Sequence, residues 1–202
     1  VRPRAEHAPA PDFPALLRMW RISRMDFYAA ATALVAVLLL GILQGILLAA
    51  LASVLMLLAR ASRPHVAFLG RIPGTSQYSD MARHPENEAI PGVIAFRPEA
   101  SLLYVNAGSV LETVMTSVLN DRSKIRAVIC DLSASPYVDL AGARMLRALY
   151  GELAARSIAL QIVGARGRVR DLLRADGLAE KVGELERAVS LDDAISDARK
   201  HA

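Results

Sequence analysis

The sequence has few of the residues on which catalytic and metal-binding sites depend. Cys130 is its only cysteine, so an internal disulfide is excluded and a reducing compartment fits. The four histidines are scattered without ligand spacing, and we expect no metal site, no cofactor and no nucleophile–base pair. Aromatic residues make up 5% and are not interleaved with basic ones, so nucleic acid is not an expected partner. These absences predict that the protein is not an enzyme.

Charge is also absent over one long stretch. No charged residue lies between Asp26 and Arg60, and so long an apolar run predicts a membrane segment. As one helix, residues 29–58 would reach about 45 Å, against about 30 Å of hydrocarbon. Two glycines and Gln44 interrupt the middle. We therefore predict a membrane hairpin within domain 26–62, with helices 27–40 and 46–60 and a turn at 41–45. One long tilted helix is the alternative.

Basic residues flank this run on both sides. The nearest before it are Arg18, Arg21 and Arg24, and the nearest after it are Arg60, Arg63 and Arg71. Because basic flanks mark the cytoplasmic side, a hairpin places both ends there, and we expect a multi-pass protein of the plasma (inner) membrane. Domain 1–25 is predicted to be a loop followed by an amphipathic interfacial helix, 15–24. Asp26 then opens the membrane helix as a favourable N-terminal charge, with a proton or ion ligand as the alternative.

After the membrane run, domain 63–90 is predicted to be a linker with a first strand. In domain 91–202, apolar runs alternate with amphipathic segments, which predicts an α/β fold with a central sheet and flanking helices. The predicted strands are 65–72, 93–96, 102–105, 125–130, 158–163 and 186–189. The predicted helices are 106–120, 140–156, 168–174 and 191–201. Ser190 and Asp193 form a capping box for the last of them.

One candidate site lies where a buried strand passes into a helix. Asp131 ends the strand, Ser133 and Ser135 lie in the loop, and Asp139 and Gly142 lie at the start of the helix. Ligands bind beyond the carboxyl ends of strands in open α/β sheets, so two carboxylates here could indicate acid–base or metal chemistry. No third ligand or basic partner is visible in the sequence. We therefore favour a structural interpretation, in which Asp139 caps the helix and Asp131 fastens the loop.

A second candidate site is the junction of residues 163–168. Gly164, Arg166, Gly167 and Arg168 combine backbone freedom, positive charge and a helix start, which together indicate a loop for an anion or nucleotide. The segment lacks the lysine and hydroxyl of a Walker A sequence. A tight turn with solvated arginines is the favoured alternative.

The strand, the D-x-S loop at 131–133 and the D-x-x-G helix start at 139–142 resemble the STAS domain. The preceding order extends the likeness: a basic amphipathic helix, Asp-Phe, two short apolar helices, the stretch RASRPHVAFLGRIPGT and the YVNA junction. Taken together, the chain from about Asp12 resembles the C-terminal part of SulP-type sulfate permeases. In the antagonist branch of STAS domains, a phosphorylated Ser or Thr follows the aspartate. Here that position is Leu140, so a switch there is not expected.

The resemblance implies secondary transport of an inorganic anion, with sulfate as the default. The hairpin would be the last two helices of the transporter, and the cytoplasmic STAS domain would act in regulation or assembly. Implied partners are the lipid bilayer, the remaining transporter helices on the same or a separate chain, a second copy in a homodimer, and a cytoplasmic protein or nucleotide ligand. The anion site lies among earlier helices, so no substrate ligand is expected here and the chain alone is not expected to transport. The alternatives are a membrane-tethered regulatory module and a truncated transporter without function.

Overall fold

The computed structural model describes residues 24–121, 124–183 and 189–200. The chain divides into two compact units, Val1–Ala59 and Arg60–Ala202. The predicted amphipathic helix, apart from its last residue, and residues 186–188 of the predicted last strand lie outside the described residues.

Two apolar helices form the described part of the first unit and run to its boundary. Helix α1 spans Arg24–Leu40 and α2 spans Ile42–Ala61. Gly41, with a φ of 89°, is the only residue between them. The pair of helices and the glycine break agree with the predicted hairpin, although α2 begins four residues earlier than predicted. One left-handed glycine is enough to end one helix and start the next, so Gln44 lies on the helix instead of in a turn.

Apolar exposure is the second property of these helices. Leu38, Leu39, Ile42 and Leu43 each keep at least 70% of their surface exposed. By length and composition α2 can cross a membrane, with a mean hydropathy of 2.5 over its window. Gly45 is the buried residue of α2. A Cβ at this position would lie 2.5 Å from Cα of Val37 in α1, so only glycine fits there. The two helices thus approach closely at Gly45 and leave apolar faces for lipid or other helices.

A five-stranded mixed sheet organises the second unit. Its strands are β1 (Val66–Arg71), β2 (Tyr78–Asp80), β3 (Val93–Pro98), β4 (Ala127–Asp131) and β5 (Ala159–Val163). Their order is β2-β1-β3-β4-β5. Strand β1 is antiparallel to β2 and β3, while β3, β4 and β5 run parallel. This arrangement confirms the predicted α/β fold with a mixed sheet.

Helices cover both faces of the sheet. They are α3 (Tyr104–Asn120), α4 (Leu140–Ala154), α5 (Gly167–Ala175), α6 (Ala179–Val182) and α7 (Leu191–Lys200). The larger core packs side chains of α3, α4 and α5 against one face. On the other face, Ala194, Ile195 and Ala198 of α7 pack against small apolar residues of the strands. Strand β4 is buried along its whole length, as its continuous apolar run predicts.

The predicted strand at 102–105 is wrong. Only Leu102 pairs, in an isolated parallel bridge with Val138, and helix α3 begins at Tyr104. Two side chains fix this start, because the Leu103 N–H donates to Oδ1 of Asn106 and the Tyr104 N–H donates to Oδ2 of Asp139. The second contact spans 35 residues of sequence, so local propensity cannot predict it.

Candidate functional site

Asp131 is held in place at the end of β4. Its side chain is 5% exposed, and its Oδ2 accepts from Nε and Nη2 of Arg97 at 2.8 and 2.7 Å. Its Oδ1 accepts from the Ser133 N–H at 2.9 Å. Both oxygens are therefore engaged in hydrogen bonds within the chain. This geometry suits a structural anchor more than an acid, a base or a metal ligand.

The two loop serines lie in different environments. Ser135 is completely buried, and its hydroxyl lies 2.8 Å from the carbonyl of Ala100 and 3.1 Å from that of Pro98. It therefore ties the loop to the end of β3. Ser133 is exposed, and its backbone N–H closes the turn on Asp131. Of the two, only Ser133 is accessible to a modifying enzyme.

Asp139 joins the N-termini of two helices. Its Oδ1 accepts from the Gly142 N–H of α4, and its Oδ2 accepts from the Tyr104 N–H of α3, each at 2.8 Å. Its own N–H donates to the Leu102 carbonyl at 3.0 Å. One carboxylate thus satisfies free donors on two helix ends and complements both helix dipoles. The α3–α4 pair is fixed at this point.

We predict that Asp139→Ala lowers the free energy of unfolding of the second unit by about 2 kcal/mol, because loss of a helix cap costs about 1 kcal/mol and two caps are lost. Asp139→Asn keeps one acceptor oxygen and should lose about half as much. Urea unfolding of the full chain in detergent micelles, followed by pulse proteolysis, measures both. Equal stability of the alanine variant and the unchanged chain would contradict the double cap.

The surface around this cap is apolar and carries no switchable hydroxyl at its centre. Leu140, the first residue of α4, is 50% exposed, and Tyr137 and Tyr104 beside it are 55% and 82% exposed. Of the two serines in the loop, Ser133 is exposed and Ser135 is buried. A phosphorylation switch at position 140 itself is therefore not available.

The second candidate loop is an open turn. Gly164 has a φ of 69°, and a Cβ there would lie 2.7 Å from Oδ1 of Asp131, so this glycine is required by the close packing of the two loops. Arg166, Gly167 and Arg168 are exposed at the start of α5. The predicted anion or nucleotide role of this loop stays a prediction.

Another polar anchor follows α2 closely in the sequence. Nε2 of His65 lies 2.7 Å from Oδ2 of Asp80, and the Ala82 N–H donates to its Oδ1 at 2.9 Å. Burial alone would raise the pKa of Asp80, but these two hydrogen bonds and the charges of His65 and Arg83 outweigh burial and lower the pKa. Asp80 therefore stays charged at neutral pH and fastens the start of β1 to β2.

The basic partner of Asp131, which is not visible in the sequence, is Arg97. In the register of β3 and β4, Phe96 lies beside Cys130, which places Arg97 next to Asp131. The residue types alone do not give strand order or register, so this pair was not visible in the sequence. No group of three His, Cys, Asp or Glu residues that could hold a metal occurs in the part of the chain that the structure describes.

Comparisons with known proteins extend over both units. The STAS domain family matches residues 84–194. A high affinity sulfate transporter of Stylosanthes hamata is 27% identical over 90% of this chain and 29% of its own length. A probable sulfate transporter of Mycobacterium tuberculosis is 30% identical over 94% of this chain and 34% of its own. The chain thus spans about a third of these relatives.

A solved structure has the same fold. The murine Solute Carrier 26 family member A9 anion transporter, in its inward-facing state, matches 94% of this chain and 30% of its own with a TM-score of 0.79. The two sequences are 20% identical, so the likeness concerns the fold alone.

Proposed function

The chain belongs to the STAS domain family, and on that basis we propose that it forms the C-terminal part of a secondary anion transporter of the sulfate transporter type. The observation that carries the proposal is the extent of the match. The sulfate transporters of Stylosanthes and Mycobacterium align with 90% and 94% of this chain, so the apolar helices are included as well as the STAS domain. Sulfate is the proposed substrate because both relatives are described as sulfate transporters.

In this proposal α1 and α2 form a hairpin in the plasma membrane, and the STAS domain lies in the cytoplasm. The basic residues Arg60, Arg63 and Arg71 at the exit support that side. The STAS domain has a regulatory or assembly role, with a second copy, a cytoplasmic protein or a nucleotide as its partner. The remaining transporter helices, on the same or a separate chain, supply the substrate site.

The Asn106 side chain is buried at the start of α3. It is 2% exposed, and its amide donates to the carbonyls of Ser101 and Ala61, at 3.0 and 3.3 Å. Ala61 is the last residue of α2. The start of α3 is thereby fastened to the first residues of its own unit, which begins at Arg60.

A chimera tests the proposal. The first two thirds of the Mycobacterium relative would be joined to this chain and expressed in bacteria that lack their own sulfate uptake. We expect radiolabelled sulfate uptake by the chimera and none by this chain expressed alone. A control chimera that stops at Ala61 keeps the helices but lacks the STAS domain, and it separates the two contributions.

Two results would contradict the proposal. The first is a chimera that is present in the membrane at normal amounts but takes up no sulfate. The second is sulfate uptake by the chain alone. An immunoblot of native membranes with an antibody against residues 93–202 complements the test, because a band much heavier than 21.7 kDa would show the domain within a longer transporter.

A second candidate function is a membrane-tethered interaction module that regulates another protein. The exposed surface of Tyr104, Tyr137 and Leu140 favours it. The absence of a hydroxyl at Leu140 argues against phosphorylation as its switch. A band at 21.7 kDa alone would support this candidate, or a remnant without function, over the transporter.

A further inference from the structure

A groove beside the C-terminal helix is unrelated to either candidate loop. It lies between α7 and the edge of the sheet formed by β1, β2 and residues 88–91, and has a volume of about 560 Å³. This volume lies within the range of small-molecule sites, about 300–1,000 Å³. Most of the lining is polar, and Ile90 and Pro91 contribute an apolar part at one end.

Two guanidinium groups enter the groove from its two walls. Arg71 comes from the end of β1 and Arg199 from the last turn of α7. Nε of Arg71 donates to the Thr75 carbonyl at 2.7 Å, which fixes the side chain without neutralising it. Within the described residues, neither arginine has an ion-pair partner. Guanidinium groups that line one groove can bind a carboxylate or phosphate group together.

Two acidic side chains, Asp192 and Glu88, also line the groove. Oδ1 of Asp192 accepts from the Tyr78 hydroxyl at 2.6 Å. Burial, together with the hydrogen bond to and the charge of Asp192, raises the pKa of Tyr78 to about 12, although the charges of Arg71 and Arg199 act in the opposite direction. The phenol therefore stays a donor and binds one acidic oxygen. Glu88 also lines the groove and disfavours a ligand with negative charge along its whole length.

We propose that this groove binds a small organic anion with one anionic head, a phosphate monoester or carboxylate, on a planar apolar body. The head lies between Arg71 and Arg199, and the body covers Ile90 and Pro91. Glu88 and Asp192 limit the ligand to a single charged end. The site does not depend on transport, so its failure and that of the proposed function are separate results.

Calorimetric titration of the full chain in nanodiscs with 1-naphthyl phosphate tests this site, with empty nanodiscs as the blank. We expect saturable binding of one molecule per chain. Inorganic phosphate and 1-naphthol each lack half of the ligand and should bind at least about tenfold more weakly. Arg199→Gln and Arg71→Gln should each weaken binding by about tenfold, because a charge-assisted hydrogen bond to the head is lost.

Two matched variants serve as controls. Lys200 is the neighbouring cation in the same helix turn but lines a different cavity, beside Asp193 and Asp197, so Lys200→Gln should leave binding unchanged. Arg168→Gln removes a cation from the other candidate loop and should also leave it unchanged. Absence of saturable binding, equal weakening by Lys200→Gln, or loss of binding in Arg168→Gln would each overturn the proposal. Pulse proteolysis of each variant shows that it is folded.

Discussion

Replacement of Arg97 by methionine is expected to lower the free energy of unfolding of the second unit by about 3–5 kcal/mol, the usual cost of breaking a buried ion pair by removing one partner. Asp131 is the more deeply buried member, with 5% of its side chain exposed against 27% for Arg97. Methionine keeps most of the apolar stem of the arginine. The loss therefore comes from a carboxylate that stays buried without its positive partner.

A second substitution shows whether the stranded charge is the cause. In Arg97→Met with Asp131→Asn, the amide has the shape of the carboxylate but no charge, and its oxygen can still accept from the Ser133 N–H. We expect this double variant to recover about 2 kcal/mol of the loss, within the range of coupling between contacting residues. Pulse proteolysis in urea measures all three proteins.

The control for this series is Arg168→Met, an exposed arginine without an ion-pair partner in the described chain. It should change stability by less than about 0.5 kcal/mol. A loss of less than about 1 kcal/mol in Arg97→Met, or a double variant less stable than that single variant, would contradict the account of Asp131 as a buried anchor.

Periodicity and local capping predicted most elements of the second unit. The continuous apolar run at 127–130 gave β4, and the helical spacing of leucines gave α4. The Ser190–Asp193 capping box marked the start of α7, where each side chain bonds to the other residue, with a Ser190 Oγ to Asp193 Oδ2 distance of 2.6 Å. These signals lie within a few residues of the structure that they predict, so no knowledge of the fold is needed.

The misses share a physical cause, which is contact between distant parts of the chain. The start of α3 depends on Asp139, 35 residues further along the sequence. The Arg97 partner of Asp131 depends on the register of two strands that a helix separates. The groove between Arg71 and Arg199 joins the first strand of the sheet to its last helix. None of these contacts can be predicted from the sequence around only one of the two partners.

The sequence identified Asp139 and Gly142 as important positions, but it did not show the full role of either residue. Asp139 was predicted to cap one helix, and it caps two. Gly142 was selected as part of a D-x-x-G pattern, and its role follows from the close approach of Leu102. Both results come from the bridge between Leu102 and Val138, which brings two helix starts side by side. The candidate site is therefore a packing junction that fixes the surface of Tyr104, Tyr137 and Leu140.

Two chemically identical substitutions in α4 are expected to have opposite effects on stability. A Cβ on Gly142 would lie 2.6 Å from the carbonyl oxygen of Leu102 and 2.9 Å from Cγ1 of Val138, whereas a Cβ on Gly151 would meet nothing within 4 Å. Gly142→Ala should therefore cost about 2 kcal/mol, as overpacking against backbone does. Gly151→Ala should stabilise the unit by up to about 1 kcal/mol, the gain in helix propensity.

The Gly142→Ala substitution should also weaken the hydrogen bonds that Asp139 makes at the two helix starts. To make room for a methyl group, the first turn of α4 must move away from Leu102, which lengthens the bond from the Asp139 N–H to the Leu102 carbonyl. Because Asp139 also caps α3, exchange of the Tyr104 and Asn106 amides should rise in Gly142→Ala but not in Gly151→Ala. Hydrogen exchange of both full-length variants tests this. If the two variants change stability in opposite directions but exchange in α3 is unchanged, the clash is limited to α4. If both variants change stability in the same direction, the close packing at Gly142 is refuted.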